Sequence, residues 1–391
     1  MSSRSSRALA VALVTVATFT DIVAYSIAVP VLPDLSRRLG ASPTVIGLLF
    51  ASFGVTLLTV SMPMGAVSDR TGRKLPLVGG LVALSAATLL FAFADGLPAL
   101  FAARLVQGAA DAVTWVVGFA LIADLYPTSE RGRVTGIVMA GTGFAFVIGP
   151  SLGGWLYELG GIRLPFVVVA ALAAAGAVAF AWLDLPDRRE AREHVPIAAV
   201  VRTPAVATCA AAVVAASATI SMIEPVLALH LESALGAGPA RIGLLFGVAA
   251  VATTALHPIF GRLADRFGAR RLTMIGLFLT GCALFALGRA WSFDSAVGLY
   301  VLQAAALALV ITPSLAYMAE ATAATGLGSF GVAYGLYNVA WGAGLLGGPA
   351  LGGFLLERIG FTQLSAAWAA AIVLATLLLS RVKFMDREVS Q

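Results

Sequence analysis

Of the 391 residues, 60% are hydrophobic and 12% are charged. That is too little polar surface for a chain of this length to cover itself in water, which excludes a soluble globular protein and leaves a polytopic membrane protein. The net charge of +5 is dispersed over short loops rather than gathered on one face, which argues against a nucleic-acid partner, and no segment alternates apolar and polar residues as the strands of a membrane barrel do.

A bilayer's hydrocarbon core, about 30 Å thick, takes roughly 20 apolar residues per helix. The apolar runs predict twelve spans near 8–32, 44–68, 74–94, 97–125, 133–157, 163–184, 204–232, 240–264, 271–290, 293–321, 328–356 and 361–381. The first opens after Met1 to Arg7 and reads as a retained helix, because it is too weakly followed by a small-residue cleavage site to be a removable signal peptide. Midway along stands Asp21, within Asp21-x-x-x-Tyr25-x-x-x-x-Pro30-x-x-Pro33. The second span, with Ile46 to Phe50, ends in the loop Gly65-x-x-x-Asp69-Arg70-x-Gly72-Arg73-Lys74. There a glycine allows close helix approach, the Asp is placed to cap or pair, and the Arg residues face lipid phosphates; a plain basic anchor is the other reading.

The fourth span carries Arg104-Leu-Val-Gln107-Gly108 and, two turns beyond Arg104, Asp111, so the three polar residues form one stripe on an apolar helix. An intramembrane charge is costly and its default reading is functional, with a structural ion pair as the alternative. Counted from opposite ends of their spans, Asp21 and Asp111 lie at similar depth near mid-membrane and are expected to share a cavity. Asp124 closes the same span, placed to pair with the basic loop. The fifth span is crowded with Gly136, Gly141, Gly143, Gly149, Pro150, Gly153 and Gly154; small residues let backbones approach and Pro bends a helix where neighbours satisfy the freed carbonyl. A charged, Pro-containing linker at 185–203 separates residues 1–184 from 204–391.

The seventh span holds Glu224, beside Pro225. Buried carboxylates can take a proton or stay ionised against a cation, the alternation that a proton antiporter requires. Farther on come a second basic loop from Gly261 to Arg271, with Asp265 and Arg266, and Glu320 at the end of the tenth span. Trp115, Phe246, Tyr334, Tyr337, Asn338 and Trp341 are placed to build an aromatic cage for an organic cation, ordinary packing being the alternative. His230 and His257 show no metal-ligand spacing, so no metal site is expected. Cys209 and Cys282 lie in apolar spans and indicate nothing about disulfides. Neither a catalytic cluster nor a sizeable soluble domain is present, which argues against an enzyme or a receptor.

Arg and Lys collect at Arg4 and Arg7 and in 69–74, 130–133, 188–202, 266–271 and 381–387. The positive-inside rule makes these loops and both termini cytoplasmic, in keeping with an even number of spans. Slid along itself by 196 residues, the chain matches: Leu39 to Phe50 agrees with Leu235 to Phe246 at nine of twelve positions. The same offset pairs Asp69 with Asp265, Arg70 with Arg266, Gln107 with Gln303 and Asp124 with Glu320, and Gly149-Pro-x-x-Gly-Gly154 recurs at Gly348 to Gly353. The halves are parallel repeats of six spans each. Their mid-membrane charges do not repeat: Asp21 faces Ser217, Arg104 faces Tyr300, Asp111 faces Leu307 and Glu224 faces Ala28.

The duplicated basic loop resembles the signature loop of the major facilitator superfamily. The fifth-span glycines and Arg104 to Gly108 resemble motifs of its twelve-span drug:proton antiporters. Asp21 to Pro33, Ile46 to Ser52, Glu130 to Arg133, Ile223 to Pro225 and Tyr317 to Glu320 are similar to vesicular monoamine and acetylcholine transporters. The resemblance implies an all-α fold of twelve transmembrane helices in two pseudo-symmetric six-helix bundles, with no cofactor and the proton gradient as driving force. It further implies substrate recognition by the acid at Asp21, and recognition or proton coupling by those at Glu224 and Glu320. Phe53 stands where that group carries a lysine, Ile22 where an Asn follows the acid, and Asn338 where an acid lies; Asp111 is additional, and the long lumenal loop after the first span is missing.

Together these readings predict an exporter of cationic lipophilic amines or drugs in exchange for protons, a monomer in the inner membrane of a bacterium. The expected substrate site is Asp21, Glu224, Tyr25, Phe50, Trp115, Tyr334 and Asn338, with Asp111, Arg104, Gln107 and Glu320 for proton coupling. Asp69, Arg70, Arg73, Asp124, Asp265 and Arg266 are the expected gates. A proton-coupled transporter of neutral solutes, such as sugars or neutral antibiotics, is the alternative, in which the acids serve protons alone.

Overall fold

The computed structural model describes residues 3–183, 203–324 and 330–382, so nearly all of the predicted linker lies outside the described residues. Every element among these residues is helical. In chain order they are α1 (Ser3–Ser26), a 3-10 turn (Val29–Val31), α2 (Leu32–Leu39), α3 (Pro43–Thr71), α4 (Lys74–Ala92), α5 (Leu97–Leu125), α6 (Thr128–Gly160), α7 (Arg163–Trp182), α8 (Pro204–Leu235), α9 (Pro239–Phe267), α10 (Ala269–Leu287), α11 (Phe293–Ala323) and α12 (Phe330–Ser380). Among the described residues, eleven stretches are long and apolar enough to cross a membrane. The last holds two spans: a straight 51-residue helix would run about 77 Å, more than twice the hydrocarbon core. Gly360 prevents this with φ 73 and ψ 172, a conformation open essentially to glycine alone, and divides the eleventh predicted span from the twelfth.

The first span runs farther than the apolar run suggests. Pro30 and Pro33 lack the amide hydrogen an unbroken helix needs, so α1 gives way to the 3-10 turn and restarts as α2, which stops at Gly40 in the left-handed region. Within the first half, α1 packs on α5, α6 and α7, α3 on α5, and α4 on α5 and α7; in the second half α10 packs on α11. Large apolar side chains such as Leu75, Leu159, Val178, Trp182, Leu302 and Leu374 remain exposed, an arrangement suited to lipid and unfavourable in water.

The chain forms two compact units: Met1–Arg192 with Met222–Val251 and Pro349–Glu357, and Glu193–Ser221 with Ala252–Gly348 and Arg358–Gln391. The units thus cut across the repeat, and α8 passes from the second into the first at Met222, two residues before Glu224. Backbone contact at small residues explains the grouping. A Cβ placed on Gly154 would lie 2.5 Å from the Pro239 carbonyl oxygen, and one on Gly243 2.5 Å from that of Pro150. The repeat supplies the mirror image, Gly353 against Pro43 and Gly47 against Pro349. Ser151 donates to the Gly243 carbonyl at 3.1 Å, and Arg37 of α2 pairs with Glu232 of α8. Asp34 holds the base of that pair, taking Arg38 at 2.9 Å and the Tyr157 hydroxyl at 2.8 Å.

Candidate functional site

The abutment of α1 on α5 brings the two mid-membrane aspartates together. Asp21 and Asp111 are 2% and 6% exposed, and their carboxylates are near enough to repel. The Thr114 hydroxyl, one turn beyond Asp111, donates to Asp21 Oδ2, whereas Asp21 Oδ1, equally buried, has no hydrogen-bond partner. Asp111 is bonded by Trp115. The polar stripe on α5 therefore runs Arg104, Gln107, Asp111, Thr114 at spacings of three and four, a single helix face.

At the other end of the stripe Arg104 is fully buried. Its guanidinium carbon stands 4.3 Å from the ring centre of Phe50 (α3), 5.0 Å from Phe91 (α4) and 5.7 Å from Tyr25 (α1), so three π faces replace part of the hydration it gives up. Nη1 donates to Gln107 Oε1 at 3.3 Å, and Gln107 Nε2 donates to Thr88 Oγ1 at 3.1 Å. Nε and Nη2 carry no hydrogen bond. Glu224 of α8, 7% exposed, interacts electrostatically with both Tyr25 and Arg104. Tyr25 also packs on Phe50 and Phe53, with ring centres 5.7 and 5.1 Å away.

The first unit thus gathers Asp21, Tyr25, Phe50, Arg104, Gln107, Asp111, Trp115 and Glu224. Asn338 belongs to the second unit, half-buried, beside a Tyr337 that stacks on Trp341 at 6.2 Å and meets Ser314 at 3.3 Å. The Tyr334 side chain lies outside those described. Thr114, Thr88 and Phe91 escaped sequence reasoning. Continuing the α5 stripe one step past Asp111 reaches Thr114, but nothing in the sequence marks Thr88 or Phe91.

The basic loops differ between repeats. Arg73 bonds Asp124 at 2.7 Å and Asp69 at 2.6 Å. Partial burial works against its charge, yet these acids outweigh that and raise its pKa. Arg131 donates to the Ala123 and Tyr126 carbonyls at 2.6 and 2.9 Å, satisfying the C-terminal end of α5. Arg70 is exposed. In the second copy Ala269 occupies the place of Arg73; Asp265, Arg266 and Glu320 are exposed, and Arg266 lies against the Phe267 ring at 5.2 Å. A double-mutant cycle on thermal unfolding in detergent is expected to give Arg73 with Asp124 a coupling of about 1–2 kcal/mol. The cycle for Arg266 with Glu320 is expected near zero. Equal couplings would show that the loops act alike.

A sequence profile of the Major Facilitator Superfamily matches residues 14–212 and 209–390. The chain is 30% identical over 383 residues to a probable vesicular acetylcholine transporter-B of Danio rerio, covering 94% of this chain and 78% of that one. It is 30% identical over 366 residues to the vesicular acetylcholine transporter of Rattus norvegicus, covering 88% and 68%, and 26% identical over 324 residues to the chromaffin granule amine transporter of Homo sapiens, covering 82% and 62%. A crystal structure of a bacterial homolog to the human lysosomal transporter Spinster, inward-facing and occupied, shares the fold with a TM-score of 0.81 at 16% identity, covering 96% of this chain and 97% of that one. Duplicated six-span halves, charges buried in apolar helices and these likenesses converge: the chain is an integral membrane transporter, not an enzyme, and belongs to the Major Facilitator Superfamily.

Proposed function

We propose that this transporter exchanges an organic amine cation for protons by alternating access. The observation carrying the reading is a set of three buried carboxylates, Asp21 beside Asp111 and Glu224 beside the guanidinium of Arg104. A carboxylate removed from water needs a proton or a cation, so the same group serves substrate in one state and proton in the other. Asp21 and Glu224 take the ammonium, with Tyr25, Phe50 and Trp115 as ring walls; Asp111 and Arg104, oriented by Gln107, link protonation to occupancy. Relatives named as acetylcholine and amine transporters support a quaternary or protonated amine as substrate. In the orientation set by the basic loops, within a bacterial inner membrane, the Arg73–Asp124 latch faces the cytoplasm. The reciprocal Gly–Pro contacts and the Arg37–Glu232 pair then lie on the outer face.

The test is uptake into liposomes driven by an imposed pH gradient, with monoamines and lipophilic cations as substrates. Wild type is expected to accumulate them, and Asp21→Asn and Glu224→Gln to lose at least about 90% of that uptake, the outcome of removing one partner of a buried charge contact. Full uptake by both variants refutes the reading. Transport indifferent to substrate charge would favour a neutral solute.

A further inference from the structure

The buried cluster does not balance its own charge. From α1 come Asp21 and the phenol Tyr25, from α5 Asp111 and Arg104, and from α8 Glu224. The α3 and α4 faces supply the rings of Phe50, Phe53 and Phe91 and the neutral Thr88. With Tyr25 neutral and the other four ionised, the cluster carries two negative charges, all on side chains at most 7% exposed. Arg104 lies within reach of Glu224 and of Tyr25. Among the described residues the Asp21–Asp111 pair has the neutral donors of Thr114 and Trp115, and one oxygen of the pair, Asp21 Oδ1, is buried with no partner. An interior of low polarity does not tolerate such an imbalance, so two positive charges must enter whenever the cluster is closed off from water. A monovalent amine supplies one and leaves the other to a proton. A divalent one supplies both.

We propose that this transporter prefers a diamine: a molecule with two ammonium groups joined by a short apolar spacer, one group on Asp21 Oδ1 beside Asp111 and the other on Glu224 beside the Tyr25 hydroxyl. The proposal rests on the cation reading given above and narrows its substrate class. The two acidic ends are separate yet close. Asp21 and Tyr25 are one turn apart on α1, a rise of about 6 Å, and Tyr25 is the residue that Glu224 faces. A chain of four or five methylenes reaches from one end to the other. Beside Tyr25 pack Phe50 and Phe53, edge or tilted against its ring, apolar surface that suits methylenes and offers no acceptor to a third charge. The repeat has no equivalent: Leu307 stands where Asp111 would be and Ser217 where Asp21 would be, so the preference belongs to this one cluster.

Binding of diaminopentane and of pentylamine, which differ in the second ammonium, is measured by titration calorimetry on the purified full chain in two buffers of different ionisation heat. The diamine is expected to bind about tenfold more tightly, the effect of one further charge-assisted contact, and to displace about one more proton per site than the monoamine. In Asp111→Asn, checked for folding by its unfolding temperature, the extra proton and the affinity advantage are both expected to vanish. Equal affinities and equal proton release in the wild type overturn the diamine proposal and leave the cation reading standing. Failure of both amines to bind overturns the cation reading with it. The wild-type comparison decides the matter even where the variant does not fold.

Discussion

Arg104→Leu and Arg104→Lys are both expected to lower pH-driven amine exchange by at least about 100-fold. The leucine variant removes the single guanidinium of the buried cluster and leaves Glu224, 7% exposed, without its compensating charge. Removing one partner of a buried charge contact costs about 3–5 kcal/mol, which is more than two orders of magnitude in any step that depends on it. The lysine variant keeps the charge but loses the plane. An ammonium cannot lie at once against Phe50, Phe91 and Tyr25, at 4.3 to 5.7 Å from each ring centre, while reaching Gln107. Adding Glu224→Gln to Arg104→Leu is expected to raise the unfolding temperature above that of Arg104→Leu alone, because the orphaned charge is removed as well. Such a recovery in stability without recovery of exchange separates a structural role of Arg104 from a role in exchange. Arg104→Lys with half or more of wild-type exchange would show that charge alone suffices.

The fold was legible in the sequence because a membrane span is a local property: apolar runs of about twenty residues mark themselves, and duplication appears in a comparison of the chain with itself. Asp21, Arg104, Asp111 and Glu224 stood out for the same reason, each being a charge where charge is costly. Their partners did not. Thr114 and Thr88 are neutral and Phe91 is apolar, all unremarkable inside a span, and their value depends on which helices abut, α1 on α5 and α4 on α5. The repeat marked Glu224 as the second half's contribution, but only packing shows that residues 222–251 join the first compact unit. The loss of Arg73's counterpart at Ala269 was visible in the letters. Its consequence, an ion triad at Asp69, Arg73 and Asp124 in the first repeat, needed coordinates.

Leucine at Gly154 is expected to reduce exchange at least tenfold, and leucine at Gly143 of the same helix to leave it within twofold. Composition treats the two alike, as members of one glycine-crowded span. Geometry separates them. A Cβ on Gly143 meets nothing within 4 Å, whereas one on Gly154 lies 2.5 Å from the Pro239 carbonyl oxygen and 2.9 Å from the Ala240 Cα. Those are backbone atoms at the start of α9, and they cannot rotate aside as a side chain tip does. The helices must part, and forcing a side chain into such a contact costs about 1–3 kcal/mol or more. Gly243→Leu, directed at the Pro150 carbonyl from the other side, is expected to behave as Gly154→Leu does, and combining the two should add little, because both open one contact. If Gly143→Leu and Gly154→Leu impair exchange equally, the glycines serve general flexibility of α6. If only Gly154→Leu does, the α6–α9 contact is itself a working part of the transport cycle, closed in the state described here and obliged to open for the cluster around Asp21 to reach the other face.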